Sequence, residues 1–325
     1  MAFLTESGTI TGGENAAALN TFAENGGHGA VELRHEYVAV NGLRLHVVKA
    51  GPDTGPIVLL LHGFPEFWYG WRHQIPALVA AGFQVWAPDQ RGYNLSDKPR
   101  SVAAYGIDRL ADDVLGLIEA TGREKVHLVG HDWGALVAWW FARLFPERLA
   151  RMAILNGPHG SVMEQHLREN LQQRRRSWYM LFFQLPAVPE MALRGRNWQI
   201  GLDILRSSGR PGVYNDNDLE MYRRAWSRPR AMTSMLNWYR AIRVRPSRRA
   251  SRRIDVPTLL IWGAGDTALG KEMAQPSIDY CEDGRLVVLE EATHWVQHDE
   301  PDKVNELLVD FLTDDINAEG VANER

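Results

Sequence analysis

Two runs in which apolar and polar residues alternate, VELRHEYVAV and LRLHVVKAG, are separated by Asn41-Gly42. Alternation with a period of two puts every second side chain on one face, and Asn-Gly suits a two-residue turn with both residues at positive φ. The pair therefore predicts an antiparallel hairpin at the edge of a sheet. The runs PIVLLLHG, FQVWAPD, KVHLVGHD and RMAILNGP that follow are almost wholly apolar, and helical periodicity lies between them near 68–81, 107–121 and 134–144. Fully apolar strands alternating with helices predict a mostly parallel sheet covered on both faces, an α/β fold. The alternation stops at Pro158 and resumes with PTLLIWGAGD, RLVVLEEATH and a final helical stretch, DKVNELLVDFL. Between them lies a stretch of helical character studded with Trp and Phe. It is read as a helical cap, residues 159–253, inserted after the sixth of eight strands into a core made of 31–158 and 254–325. Residues 1–30, rich in Gly, Ala, Asn and Thr, are expected to form a loose extension without chemistry.

Composition narrows the class. The 325 residues are 45% apolar, 23% charged and 10% aromatic, which suits an enzyme-sized globule. At this length about 75% of the unfolded chain's surface can be buried without staples. Cys281 is the only cysteine, which rules out an intrachain disulfide and a thiolate metal cluster and fits a reducing, cytoplasmic location. No Lys or Arg precedes Arg34, so the basic start of a secretory signal is missing, and no apolar run approaches membrane-spanning length. Neither a membrane nor a nucleic acid is expected as a partner, the latter because the net charge is only −4. The charge is unevenly spread. Residues 159–253 hold 19 Arg against 7 Asp and Glu, a net +12, whereas the remainder holds 17 basic against 33 acidic residues, a net −16. A shift that sharp supports a separate structural unit, with a solvated basic surface as its simplest consequence.

The chemistry centres on Gly130-His131-Asp132-Trp133-Gly134, directly after a strand and directly before an apolar helix. Glycines on both sides of a central side chain permit the tight strand-to-helix turn that lifts a nucleophile above a sheet. An ordinary helix-capping Asp would have a similar local sequence. The order of partners favours the nucleophile: Asp266 follows the next-to-last strand and His294 the last, giving nucleophile, acid and base in sequence. His298, one turn later, falls in a helix start and is set aside. A carboxylate attacking an acyl carbon would give an anhydride, but attack on a saturated carbon gives an ester that water can cleave, so Asp132 implies an alkylating substrate. His294 then activates the water, and Asp266 holds its tautomer. His62-Gly63-Phe64-Pro65 ends the third strand, and the backbone N–H groups of Phe64 and Trp133 are the candidates for an oxyanion hole. The Phe64-Pro65 bond is a candidate for the cis form.

HGFPEFWYGWRHQ, DQRGYNLSDKP, VGHDWGA and THWVQHDEP together resemble the epoxide hydrolases of the α/β-hydrolase superfamily, over about residues 34–313. The resemblance implies an α/β-hydrolase fold, hydrolysis of an epoxide to a vicinal diol, and no cofactor or metal. It also implies two cap tyrosines that donate to the epoxide oxygen, and Tyr179 in WYMLFFQLP and Tyr239 in LNWYRA stand in matching contexts. Opening an epoxide leaves an alkoxide that needs a proton, which phenols with a pKa of about 10 can supply. Haloalkane and haloacid dehalogenases share the Asp nucleophile and are the alternative; Trp133 could serve a halide, but a halide needs no proton. A binding protein on the same fold is a third reading, disfavoured by the intact nucleophile, acid and base. His62, Pro65, Trp68, Trp178, Phe183 and Trp295 are the expected substrate contacts in a cleft for a small apolar epoxide and water. A homodimer stays open.

Overall fold

A computed structural model describes residues 21–22 and 31–323, with side chains over 31–313. The expected extension, residues 1–30, thus lies outside the described residues, except that Thr21–Phe22 pairs with Val31–Glu32. The eight strands of the main sheet are β1 (Arg34–Val40), β2 (Leu43–Ala50), β3 (Ile57–Leu61), β4 (Gln84–Pro88), β5 (Val126–His131), β6 (Leu149–Leu155), β7 (Thr258–Gly263) and β8 (Gly284–Leu289). Their spatial order is β8-β7-β6-β5-β3-β4-β2-β1. All neighbours run parallel except that β2 is antiparallel to both β4 and β1. Asn41 and Gly42 join β1 to β2 with φ of 51° and 78°, the backbone that a two-residue hairpin turn requires.

The inner strands β3, β4, β5 and β7 are buried at every position, as their apolar runs demand. The helices that lie over the sheet are α1 (Gln74–Ala80), α2 (Ile107–Thr121), α3 (Trp133–Leu144), and, near the C-terminus, a long helix Pro301–Asn323. α2 packs on α3, and α1 on the long C-terminal helix. The expected helix at 68–81 is a 3-10 turn, Trp68–Trp71, followed by α1, because Pro76 fits only the first turn of a helix that starts late.

Between β6 and β7 the chain is helical: α4 (Gly160–Glu169), α5 (Leu171–Arg176), α6 (Trp178–Phe182), α7 (Val188–Arg194), α8 (Gln199–Ser208), α9 (Asp216–Trp226) and α10 (Ala231–Arg240). This excursion returns to the sheet at Thr258, and it brings Tyr222, Trp226 and Trp238 to buried positions against the loops at the ends of β3 and β4.

Candidate active site

The spatial order of the sheet explains why residues far apart in sequence meet. Asp132, Asn156, Asp266 and His294 follow β5, β6, β7 and β8, and Phe64 follows β3; these five strands are consecutive neighbours. Loops at the carboxyl ends of adjacent parallel strands open onto one crevice.

Asp132 sits between β5 and α3 with φ 50° and ψ −114°, a conformation that non-glycine residues rarely adopt and that a functional turn can sustain. The flanking glycines permit it. A Cβ on Gly134 would lie 2.0 Å from the carbonyl oxygen of Leu61, and one on Gly130 would lie 2.5 Å from that of Gly134. Asp132 Oδ1 accepts the backbone N–H of Phe64 at 2.8 Å. Its Oδ2 lies 3.7 Å from His294 Nε2. Trp133 is the first residue of α3, so its N–H has no partner within the helix and is available beside that of Phe64.

His294 Nδ1 donates to Asp266 Oδ2 at 2.6 Å. Asp266 is saturated from the other side: the N–H groups of Ala268 and Leu269 both reach Oδ1 at 2.8 Å, and Asn156 Nδ2 reaches Oδ2 at 2.9 Å. Burial works to raise the Asp266 carboxyl, but the His294 charge and these donors hold it below the ordinary Asp value. Burial likewise works to lower His294, but the carboxylate of Asp266, its hydrogen bond and the charge of Asp132 prevail and bring it up to about 9.

α6 and α10 carry the two tyrosines. The Tyr179 and Tyr239 rings are 5.9 Å apart, centroid to centroid. Tyr239 also meets Phe64 at 5.2 Å, Trp133 at 5.0 Å and Phe183 at 4.9 Å. Burial first and the Asp132 charge second push both phenols well above the ordinary Tyr value. Both therefore stand in the field of the carboxylate and stay protonated. Phe183 joins this aromatic wall, and Trp295 meets His294 edge-on at 4.9 Å while its Nε1 donates to Ser208 of α8.

Three of the expected substrate contacts are placed elsewhere. His62 has no nitrogen free for a substrate, because Nδ1 donates to Gly63 O at 3.0 Å and Nε2 accepts Gln90 N–H at 3.1 Å; it shapes the loop that presents Phe64. Trp68 is buried against His35, Phe67 and Tyr69, since its 3-10 turn directs the ring into the core. Trp178 is 63% exposed, and its ring lies 5.9 Å from that of Phe182, the helical neighbour four residues on. Pro65 stays at the site's edge, where its carbonyl accepts Trp226 Nε1 at 2.7 Å, and the Phe64-Pro65 bond is cis.

The structure adds residues that sequence reasoning passed over. His131 Nε2 donates to the backbone carbonyl of His294 at 2.9 Å. Glu66 is buried and accepts from His298 Nε2 at 2.8 Å, Tyr222 Oη at 2.7 Å and Gln297 Nε2 at 3.1 Å. His298 is thus engaged by Glu66 and by Arg72, and not by Asp132. Glu66 and His298 lie inside the quoted motifs, but nothing local in sequence says that they meet.

This architecture matches the family model described as the alpha/beta hydrolase fold over residues 56–301. The chain is 43% identical over 280 residues to the AB hydrolase superfamily protein YfhM of Bacillus subtilis, covering 86% of this chain and 98% of that one. It is 39% identical over 282 residues to epoxide hydrolase 1 of Caenorhabditis elegans, covering 85% of this chain and 69% of the relative. A solved epoxide hydrolase from Bacillus megaterium, complexed with a diol product, superposes with a TM-score of 0.77 at 33% identity over 85% of this chain and 99% of its own. The chain belongs to the α/β-hydrolase superfamily and, within it, to the epoxide hydrolases. Among the described residues no helix is long and apolar enough to cross a membrane.

Proposed function

We propose that this epoxide hydrolase works through a covalent ester on Asp132. The Asp132 carboxylate attacks a ring carbon of the epoxide, the C–O bond on that carbon breaks, and Tyr179 and Tyr239 supply the proton that the departing oxygen needs. The observation that carries this reading is the geometry of Asp132: one oxygen on the Phe64 N–H at 2.8 Å, the other facing His294 Nε2 at 3.7 Å. An already ionised carboxylate needs no base, so the histidine beside it serves the second step.

Loss of the carboxylate charge couples the two steps. Burial raises the phenols and Asp266 raises His294, and the Asp132 charge adds to both. When it is spent in forming the ester, the tyrosines become better acids just as the alkoxide appears, and His294 is released toward its neutral form. The His294 proton restores the tyrosine. Neutral His294 then takes a proton from water as that water adds to the ester carbonyl, and the N–H groups of Phe64 and Trp133 hold the oxyanion. Collapse breaks the ester C–O bond to the substrate, the diol leaves with the proton of the new carboxyl, and Asp132 is again a carboxylate. Removing one oxyanion donor costs about 2.7–4 kcal/mol in comparable sites. The rings of Phe64, Trp133 and Phe183 favour an apolar substrate, and the helical segment 159–253 acts as the cap that carries both acids.

Intact-protein mass spectrometry after mixing with an epoxide tests the division of labour. His294→Gln is expected to accumulate protein plus one substrate mass, because the ester forms but is not cleaved. Asp132→Asn is expected to stay unmodified. A His294 variant that turns over normally with no adduct would mean that water attacks the epoxide directly, and release of halide from alkyl halides at a comparable rate would favour dehalogenation.

A further inference from the structure

The apolar side chains that remain at the surface are not scattered. Of the ten large apolar residues that are exposed among the described residues, nine lie in the helical segment 159–253, and only Tyr37 lies elsewhere. The most exposed are Leu181 at 74%, Met191 at 70% and Trp178 at 63%. They fall on shared faces: Trp178 and Leu181 are three apart along α6, Val188 and Met191 three apart along α7, and Leu185 stands between the two helices. Single exposed apolar residues need no explanation, but a cluster of them marks an interaction surface.

The same stretch is basic. From Leu171 to Arg196 there are five arginines, Arg174, Arg175, Arg176, Arg194 and Arg196, against one acid, Glu190. Glu190 is taken by Arg240 at 2.9 Å, and none of the five arginines has an ion-pair partner among the described residues. An open cavity of about 600 Å³ shares this rim, lined in part by Ala187, Met191 and Arg194, and its inner wall includes Gln184, whose amide holds the backbone carbonyl of Tyr239.

Aromatic and aliphatic side chains ringed by arginine suit the surface of an anionic lipid bilayer, where the apolar groups enter the headgroup boundary and the cations meet phosphate. A second copy fits less well, since joining two such faces would set Arg174–Arg176 of one against the same three arginines of the other. The remainder of the molecule, at net −16, would be turned away from the lipid, so the overall charge of −4 does not oppose the arrangement. We propose that the face built by Trp178, Leu181, Leu185, Val188 and Met191 with Arg174–Arg176 docks this enzyme peripherally on an anionic lipid surface. No spanning segment is needed for that. If the substrate is apolar, as proposed above, docking brings the enzyme to where such molecules collect.

Co-sedimentation of the full chain with vesicles tests this without any substrate, so its failure is separable from failure of the ester mechanism. Binding is expected to vesicles rich in phosphatidylglycerol, to be at least tenfold weaker to phosphatidylcholine alone, and to fall as salt is raised. A basic side chain near such a surface is worth about a fivefold change in partitioning, so Arg174→Gln with Arg175→Gln should weaken it about twenty-five-fold. Leu181→Ser with Val188→Ser should weaken it on both lipids, and both variants should keep full turnover of a water-soluble epoxide. Equal binding to the two lipids, or none, overturns the proposal. So does a solution dimer that Leu181→Ser splits, which would assign the face to a second copy.

Discussion

At the scale of single residues, one charge acts on three other groups. Burial raises both phenols and the Asp266 carboxylate raises His294, and the Asp132 charge adds to each rise, so its removal has a sign that can be read directly. In Asp132→Asn the His294 midpoint, about 9 with the carboxylate present, should fall toward the ordinary His value of 6.5. Histidine titration by NMR on the resting enzyme and the variant gives both numbers, and an unmoved midpoint would show that Asp266 alone holds the imidazolium. The tyrosines give a second prediction. General acids contribute about 10² to 10⁴ in rate. Tyr239→Phe or Tyr179→Phe should each slow ester formation while the partner still donates, and the double variant should lose most of that factor. Single-turnover rates of ester formation decide it; a double variant that opens epoxides normally would leave the phenols without a role in the reaction.

At the scale of elements, α9 is fastened to the core by a buried polar cluster. Tyr222 Oη donates to Glu66, Tyr69 Oη to Asp218 at 2.9 Å, and Arg72 reaches Asp218 at 3.2 Å and His298 at 3.1 Å. Burial pushes Glu66 up, but its hydrogen-bonding neighbours His298 and His131 outweigh that and hold it well below the ordinary Glu value. Tyr222→Phe leaves a buried carboxylate oxygen short of a donor, which should cost about 1.5–3 kcal/mol in urea unfolding. Faster hydrogen exchange in α9 should accompany the loss. Unchanged stability would mean that Gln297 and His298 satisfy Glu66 by themselves. None of this cluster could be read in the sequence, although the strands, the hairpin and the positions of Asp132, Asp266 and His294 could. Periodicity reports what is buried along one element, and the triad follows from where strands end. Glu66, Tyr222 and His298 come from three separate segments, and their meeting is a tertiary fact with no local mark. The same limit explains Trp68 and Trp178: an aromatic next to a motif reveals proximity in sequence, not which way its ring turns.

At the scale of the whole molecule, buried histidines determine how stability responds to pH, and they pull in opposite directions. His294 is raised by its carboxylate partners to about 9 from an unfolded value of 6.5, so its contribution is complete below 6.5 and is lost as pH rises through 9. His62, His73, His159 and His298 are lowered, in each case first by burial, and His73 comes down to about 3. His159 comes down to about 3, and its ring stacks on Tyr280 at 4.0 Å. His298 accepts Arg72 at Nδ1 and donates to Glu66 at Nε2, so it is held neutral with both nitrogens engaged. Each of these four binds a proton more readily in the unfolded chain than in the native state, so each removes stability as pH falls below 6.5. The slope is about 1.36 kcal/mol per pH unit for each proton of difference. His73 and His159 together put about two protons on the acid side, His62 and His298 add to them, and about one proton acts on the alkaline side, so the stability curve should peak near pH 7, fall steeply toward pH 5 and decline gently toward pH 9. Urea unfolding across that range, with the slope converted to protons bound, measures both limbs. In His294→Gln the alkaline decline should disappear while the acid limb keeps its slope. An acid limb no steeper than the alkaline one would show that the native interior admits protons at these four histidines after all.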